Sequence, residues 1–136
     1  MTREESVGMW DDFEFFEKKG GKFGDPKITI TRDGTFLFNV GFCHKANLED
    51  KNAVILGYHP KKKAIIFQFT EDPKAKSAFT LIHRGSAAST TCRSFFSAYE
   101  FDKTKITGRY HPHKERMPRV GDVWLIKLDE RSELRK

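Results

Sequence analysis

Residues 27–39 read KITITRDGTFLFN, which combines an alternating apolar pattern with a turn signal. Apolar and polar side chains alternate on both sides of the turn, which places Ile28 and Ile30 on one face of a half-buried strand. Gly34 favours a tight turn because glycine adopts positive φ without a steric penalty. The letters TFLF then predict a second strand, and Asn39 can cap the short helix that follows. The sequence therefore predicts a β-hairpin followed by a helix.

The same order of elements recurs downstream. NAVILGYH and KAIIFQF predict two strands that are joined by a lysine-rich turn, which completes a β-β-α-β-β unit. From residue 76, the strand SAFTLIHR, a turn at Gly85, the strand SAAST and the helix TCRSFFSAYEF follow, with Ser89, Thr90 and Thr91 as expected caps. The strands ITGRYHPH and DVWLIKLDE complete a second β-β-α-β-β unit.

Spacing along the chain indicates that one unit was duplicated. GYHPKKK (57–63) returns as RYHPHKE (109–115), and Gly34 is separated from Gly85 by nearly the same number of residues as Tyr58 from Tyr110. We expect each tyrosine to introduce the bend between the last two strands of its half, with ERMPR (115–119) lengthening the second bend. The predicted fold is a single α+β domain at 27–136. Its two pseudo-symmetric halves, about 27–72 and 76–130, pair into one compact barrel-like body.

Two resemblances follow from these segments. TITRDGTFLFN…AVILGYHPKKKAIIFQF and TLIHRGSAAST…RYHPHK…DVWLIKL resemble tandem halves of the AbrB/MraZ-like swapped-hairpin fold, which implies interleaved units. The whole chain is also similar to a family of small uncharacterised prokaryotic and phage-type proteins that share the acidic aromatic start and the I-x-I-x-x-x-G-x-F-x-F-N stretch. AbrB-type DNA binders usually carry Arg directly after the turn glycine. Thr35 and Ser86 stand there in this chain, so those arginines do not carry over.

Composition and charge bound the function. The chain has 136 residues, of which 38% are hydrophobic and 32% charged, and its formal net charge is +6. Residues 1–18 hold six acids against Arg3 and Lys18, so the rest of the chain is strongly basic and suits an anionic partner. The acidic start lacks the pattern of a secretory signal, no apolar run could span a membrane, and Cys43 and Cys92 fit reduced thiols. These features predict a cytoplasmic protein, monomeric or homodimeric, without a membrane role.

Cationic turns are the predicted functional feature. Lysines and arginines in turns suit phosphate backbones, because each neutralised phosphate releases counterions. We expect nucleic acid, with DNA favoured and a regulatory or phage context, to be bound by Lys61, Lys62, Lys63, Arg109, His111, His113, Lys114, Arg116 and Arg119. Tyr58 and Tyr110 are candidates for stacking on bases. The alternative is that these turns are polar only for solubility.

The N-terminal 26 residues form an acidic aromatic arm and a glycine-rich linker (KKGGKFGDP, 18–26). The aromatic residues of the arm, which need a surface to cover them, are Trp10, Phe13, Phe15 and Phe16. The alternative function is therefore a protein-interaction module that uses this arm or a sheet edge, without a nucleic-acid role. A further hypothesis is that the arm folds back and its acids cover the basic face.

Catalysis, metal binding and cofactors are not predicted. The chain contains neither G-x-S-x-G nor a phosphate-binding G-x-x-x-x-G-K-[ST] motif. His111 and His113 flank Pro112 without an accompanying carboxylate or thiol, and the two cysteines lack the paired spacing of a zinc site. Arg32, Arg84 and Arg93 are expected to hold the halves together rather than to bind a ligand.

Overall fold

The computed structural model describes residues 24–131. Its ten strands are β1 (Ile28–Ile30), β2 (Thr35–Phe38), β3 (Ala53–His59), β4 (Ala64–Thr70), β5 (Ala78–Thr80), β6 (Ile82–Arg84), β7 (Ala87–Thr91), β8 (Gly108–Tyr110), β9 (His113–Met117) and β10 (Gly121–Lys127). Three short helices, α1 (Val40–Lys45), α2 (Arg93–Ala98) and α3 (Lys103–Ile106), and two 3-10 turns, Leu48–Asp50 and Leu128–Glu130, complete this part of the chain.

The strands form two antiparallel five-stranded sheets. Sheet A has the order β6-β7-β2-β1-β8, and sheet B has the order β5-β3-β4-β10-β9. The α+β class is confirmed. The expected barrel-like closure is wrong, because each sheet ends in strands that have one neighbour among residues 24–131. The edge strands β6 and β8 of sheet A do not pair with the edge strands β5 and β9 of sheet B, so both sheets stay open.

The hairpin in residues 27–39 forms as predicted. Ile28 pairs with Phe38 and Ile30 pairs with Phe36, so all four apolar side chains share one face of sheet A. Gly34 closes the turn with a φ of 84°, a conformation that glycine adopts most easily. The predicted strands and their tight turn are confirmed.

Asn39 joins the hairpin to α1 and is confirmed as the helix cap. Its Oδ1 accepts hydrogen bonds from the backbone N–H of Phe42, at 2.9 Å, and of Lys27, at 3.0 Å. Its Nδ2 donates to the carbonyl oxygen of Asp25 at 2.8 Å. One side chain thus satisfies a free helix donor and fixes the start of the described chain.

The core lies between the sheets and is built mainly from phenylalanine. Phe36 and Phe38 project from sheet A and meet Phe67 edge to face, with ring centroids 5.0 and 5.8 Å away. Phe69 meets Phe38 at 5.3 Å, and all of these rings except the half-buried Phe69 are almost fully buried. Such edge-to-face contacts add to the burial of the rings.

The second half departs from the predicted elements. SAFTLIHR is not one strand: β5 pairs with β3 in sheet B, β6 pairs with β7 in sheet A, and the buried Leu81 lies between them. Its backbone N–H donates to the carbonyl of Asn52 at 2.9 Å, which bends the chain from one sheet to the other. The expected caps Ser89, Thr90 and Thr91 belong to β7, and Cys92 precedes α2 without a side-chain cap.

The two Tyr-His-Pro phrases lie in different settings. Tyr58 is in β3 and pairs with Ile65 across the β3–β4 hairpin. Tyr110 ends β8 and pairs with Ile28 in sheet A, after which the chain crosses to sheet B and begins β9. The second hairpin turn therefore follows Met117 and not Tyr110, so the expectation for the second tyrosine is wrong. ERMPR supplies the end of β9 and part of this turn.

Sheet B carries apolar side chains on both faces. Trp124 and Ile126 of β10 pack into the core, so the alternate residues Val123 and Leu125 point outward. On β4, Ile66 pairs with Leu125 and therefore also lies on the outward side. Near-continuous apolar strands of this kind are typical of a sheet that is covered on both sides.

The two turn glycines form a matched pair for mutation. We expect Gly34→Ala to lower the free energy of unfolding by about 1–2 kcal/mol, because a φ of 84° is unfavourable for a residue with a Cβ. Gly85→Ala should cost less, since its φ of 60° lies closer to the left-handed minimum. Urea unfolding of both variants checks the order, and equal costs would contradict it.

Asn39→Ala tests the cap. Loss of the acceptor leaves the backbone N–H groups of Phe42 and Lys27 without this partner, and we expect unfolding to become easier by about 1–2 kcal/mol. Asn39→Asp is the control, because it keeps the acceptor and should lose less stability. Urea titration followed by circular dichroism measures both.

Candidate nucleic-acid interface

Lys61, Lys62 and Lys63, which we call the lysine turn, connect β3 to β4 and are all exposed. The turn is held by the backbone N–H of Lys62, which donates to Nδ1 of His59 at 3.2 Å, and by Lys63, whose φ is 51°. Within residues 24–131, no carboxylate lies within ion-pair distance of these ammonium groups. The turn therefore presents three cations that protein acids do not neutralise.

Lys127 extends this cationic end of sheet B. It pairs with Ala64, the first residue after the lysine turn. Lys61, Lys62 and Lys127 line a groove of about 550 Å³ on the outward face of sheet B, which Glu115, Asp129 and Glu130 also line. Lys127 thus adds a fourth cation where the β3–β4 hairpin ends.

The predicted basic residues on β9 are paired with carboxylates, and two of them share Asp122. Arg116 Nη1 lies 3.3 Å and Lys114 Nζ lies 3.9 Å from the two carboxylate oxygens of Asp122. His113 Nε2 lies 3.0 Å from Oε1 of Glu130. Charged residues on an edge strand also hinder pairing with a further strand, so their placement on β9 protects this edge of sheet B.

The remaining predicted residues lie apart from the lysine turn. Arg109 is on the outward side of β8 in sheet A, where it pairs with Thr29. Arg119 is in the β9–β10 turn, at the end of sheet B opposite the lysine turn. Loss of hydrating water, followed by the charge of Lys27, lowers the pKa of His111, so its ring contributes little charge at neutral pH. The nine predicted residues do not form one patch.

The predicted stacking role is wrong for Tyr110. Its side chain is fully buried, and its hydroxyl donates to the carbonyl of Ile106 at 2.5 Å. Burial raises the pKa of Tyr110 to about 12. Tyr58 is half-buried and packs against Tyr99 and Phe101, with ring centroids 5.1 and 4.9 Å away. Both tyrosines stand in a Tyr-His-Pro phrase, so the sequence did not distinguish the fully buried Tyr110 from the half-buried Tyr58.

Arg93, the first residue of α2, contacts the Gly34 turn. Its Nε donates to the carbonyl of Asp33 at 3.3 Å. Hydrogen bonds from Thr31 and Thr35, with a smaller contribution from the charge of Arg93, lower the pKa of the Asp33 carboxyl. This contact matches the structural role expected for Arg93. Arg32 and Arg84 are exposed and make no ion pair within residues 24–131.

Both cysteines are buried with free thiols. Desolvation raises the pKa values of Cys43 and Cys92 to about 11, so both are protonated at neutral pH. In the part of the chain that the structure describes, no three His, Cys, Asp or Glu side chains come close enough to hold a metal ion. No helix there is long and apolar enough to cross a membrane.

The sequence predicted a second binding surface in the N-terminal arm and missed one on sheet B. The predicted interaction residues Trp10, Phe13, Phe15 and Phe16 lie outside the described residues. Sequence reasoning also missed the groove on the outward face of sheet B. Its signal was present in the unbroken apolar runs AVIL, AIIF and VWLI, which contrast with the alternation in KITITR.

Comparison with known proteins yields no relative from which to transfer a function. No protein-family model matches the sequence, and neither a curated protein nor a solved structure matches it. The resemblance to AbrB/MraZ-like halves therefore stays a prediction, and the function has to be argued from the residues.

The buried thiols predict a loss of stability in alkali. Their pKa is about 11 in the folded chain against an ordinary 9.0, so the unfolded chain releases these protons first as pH rises. We expect the free energy of unfolding to fall between about pH 9 and 11, by at most about 1.4 kcal/mol per pH unit for each thiol. Urea unfolding at several pH values measures this slope. The Cys43→Ala/Cys92→Ala variant should show a shallower decline, and an unchanged decline would contradict the assignment.

Proposed function

We propose that this is a non-enzymatic nucleic-acid-binding protein, with DNA favoured, that contacts phosphates through the lysine turn. One observation carries the proposal: Lys61, Lys62 and Lys63 are consecutive and exposed, and they have no acidic partner within residues 24–131. Elsewhere the predicted cations are paired, as Lys114 and Arg116 are with Asp122.

The chemistry of lysine favours backbone contact over base readout. An ammonium group is a point charge without the planar fork by which arginine recognises guanine. Neutralised phosphates release counterions, and this contribution to affinity does not depend on sequence. The formal net charge of +6 strengthens the attraction at long range. The proposed mode is therefore salt-sensitive binding with little sequence preference.

The proposed contact set is smaller than the sequence predicted. Lys127 joins the lysine turn because it lines the same groove as Lys61 and Lys62. Arg109 and Arg119 lie elsewhere on the molecule, and the first of them belongs to the other sheet. One straight duplex that touches the lysine turn therefore needs none of the cations on β8 or in the β9–β10 turn.

We further propose that the domain arose by duplication of a β-β-α-β-β unit, with AbrB/MraZ-like exchange of hairpins. The pairing of β2 with β7 at the centre of sheet A, and of β4 with β10 in sheet B, supports this origin. Gly34 and Gly85 also both have positive φ after their first strands. A half-turn rotation should superpose 28–38 and 53–70 on 82–91 and 113–127, and failure to do so would count against duplication.

The salt dependence of binding tests the nucleic-acid proposal. We expect Lys61→Ala/Lys62→Ala/Lys63→Ala to weaken binding to a fluorescent DNA duplex and to flatten the slope of log K against log salt. Three lost phosphate contacts reduce the slope by about 2–3. Fluorescence anisotropy between 50 and 200 mM salt, a range of about fourfold, measures the change.

The matched control is Lys74→Ala/Lys76→Ala/Lys103→Ala, which removes the same charge from exposed positions elsewhere. It should leave the slope near that of the unchanged protein. Equal losses in both triple variants would show that net charge and not the lysine turn determines binding. Absence of binding at low salt to single-stranded and double-stranded DNA would overturn the proposal itself.

A further inference from the structure

The outward face of sheet B is apolar although no described helix covers it. Val123 and Leu125 point away from the core, yet they are only 0% and 9% exposed. Ile55 and Ile66 continue this face on β3 and β4 and are half-buried. We call the surface formed by Ile55, Ile66, Val123 and Leu125 the outer face.

The three described helices lie on the other side of the sheet. The Phe42 ring of α1 meets Trp124 at 5.0 Å, and Trp124 points into the core. The Phe96 ring of α2 meets Phe36 at 5.3 Å, and Ile106 of α3 belongs to the same core. None of the three helices therefore accounts for the burial of Val123 and Leu125.

The described chain begins beside this surface. Asp25 is held by Asn39, whose Nδ2 donates to its carbonyl at 2.8 Å, and it lies close enough to His111 for its charge to act on that ring. The His111 ring is 5.4 Å from the His113 ring. His113 in turn contacts Glu130, which lines the groove over Ile66 and Leu125. The described chain thus begins near the crossing from β8 to β9, at the edge of sheet B that carries His113.

The linker is long enough to reach the outer face. Its residues 18–23, which precede the described chain, span up to roughly 20 Å when extended. Five strands at their usual spacing make a sheet about 20 Å wide. The segment before the linker is therefore within reach of β10 and β4 without any movement of the sheets.

The composition of that segment matches the surface. MWDDFEFF (9–16) holds Trp10, Phe13, Phe15 and Phe16 between acidic residues. Its rings suit the apolar outer face, and its acids suit Lys61 and Lys62, which line the groove beside this face. We propose that residues 9–16 of the same chain pack on the outer face of sheet B and complete the second layer of core.

Photocrosslinking in the full-length protein tests this inference. With p-benzoylphenylalanine in place of Phe13, which keeps an aromatic side chain, we expect intrachain crosslinks to peptides from β3, β4 or β10. Ile66→Lys should reduce the yield at least fivefold, because it places a charge at the centre of the outer face. The matched control is Ile82→Lys on sheet A, where Ile82 is 48% exposed, and the yield should not change.

Each alternative result has a defined meaning. Crosslinks between two chains would assign the outer face to a second copy, and crosslinks confined to sheet A would place the segment elsewhere; both overturn the inference. Circular dichroism verifies that the variants fold, and Ile55→Lys replaces Ile66→Lys if the latter does not. All measurements are made without nucleic acid, so they do not depend on the proposed function of the lysine turn.

Discussion

Edge-to-face packing between phenylalanine rings of the two sheets holds the sheets together. Phe36 and Phe38 come from the hairpin of sheet A, and Phe67 and Phe69 come from β4 of sheet B. Packed sheets stand about 10 Å apart, a gap that large side chains from both sides must fill. The register of the hairpin matters because a slip by one residue would turn its rings toward solvent. The turn glycine and the Asn39 cap fix that register.

The two sheets use their faces differently, and this difference determines where function can reside. The row across the outward side of sheet A contains Thr29, Leu37, Ser89 and Arg109, which is mixed and mostly polar. Sheet B carries Ile66, Val123 and Leu125 on its outward side as well, with Gln68 and Glu115 beside them. Its available charge lies at strand ends and edges. The lysine turn stands out in this setting because its cations are exposed and have no ion-pair partner within residues 24–131, whereas those of β9 are paired with neighbouring carboxylates.

The first hairpin could be predicted because its signals are local in the sequence. The second half was difficult to predict because its strands pair with distant parts of the chain. Residues 27–39 contain their own turn, alternation and cap, so their structure follows from neighbours in sequence. SAFTLIHR reads as one strand because nothing local shows that Thr80 pairs in one sheet and Ile82 in the other. The Tyr110 phrase misled for the same reason, since its partner is Ile28. The cationic residues were identifiable by type, but their ion pairs depend on Asp122 and Glu130, whose positions only the fold supplies.

The crossings at Leu81 and at Pro112 have a mechanical consequence. At each of these buried points the backbone leaves one sheet and enters the other within one to two residues. Separation of the sheets would break one strand pairing at each crossing. At Leu81 it would break β5–β3 or β6–β7, and at Pro112 it would break β8–β1 or β9–β10. Neither sheet can therefore separate from the other without losing hydrogen bonds between its own strands. Because the backbone joins the two sheets at both crossings, we expect the sheets to unfold in a single cooperative step despite the short strands.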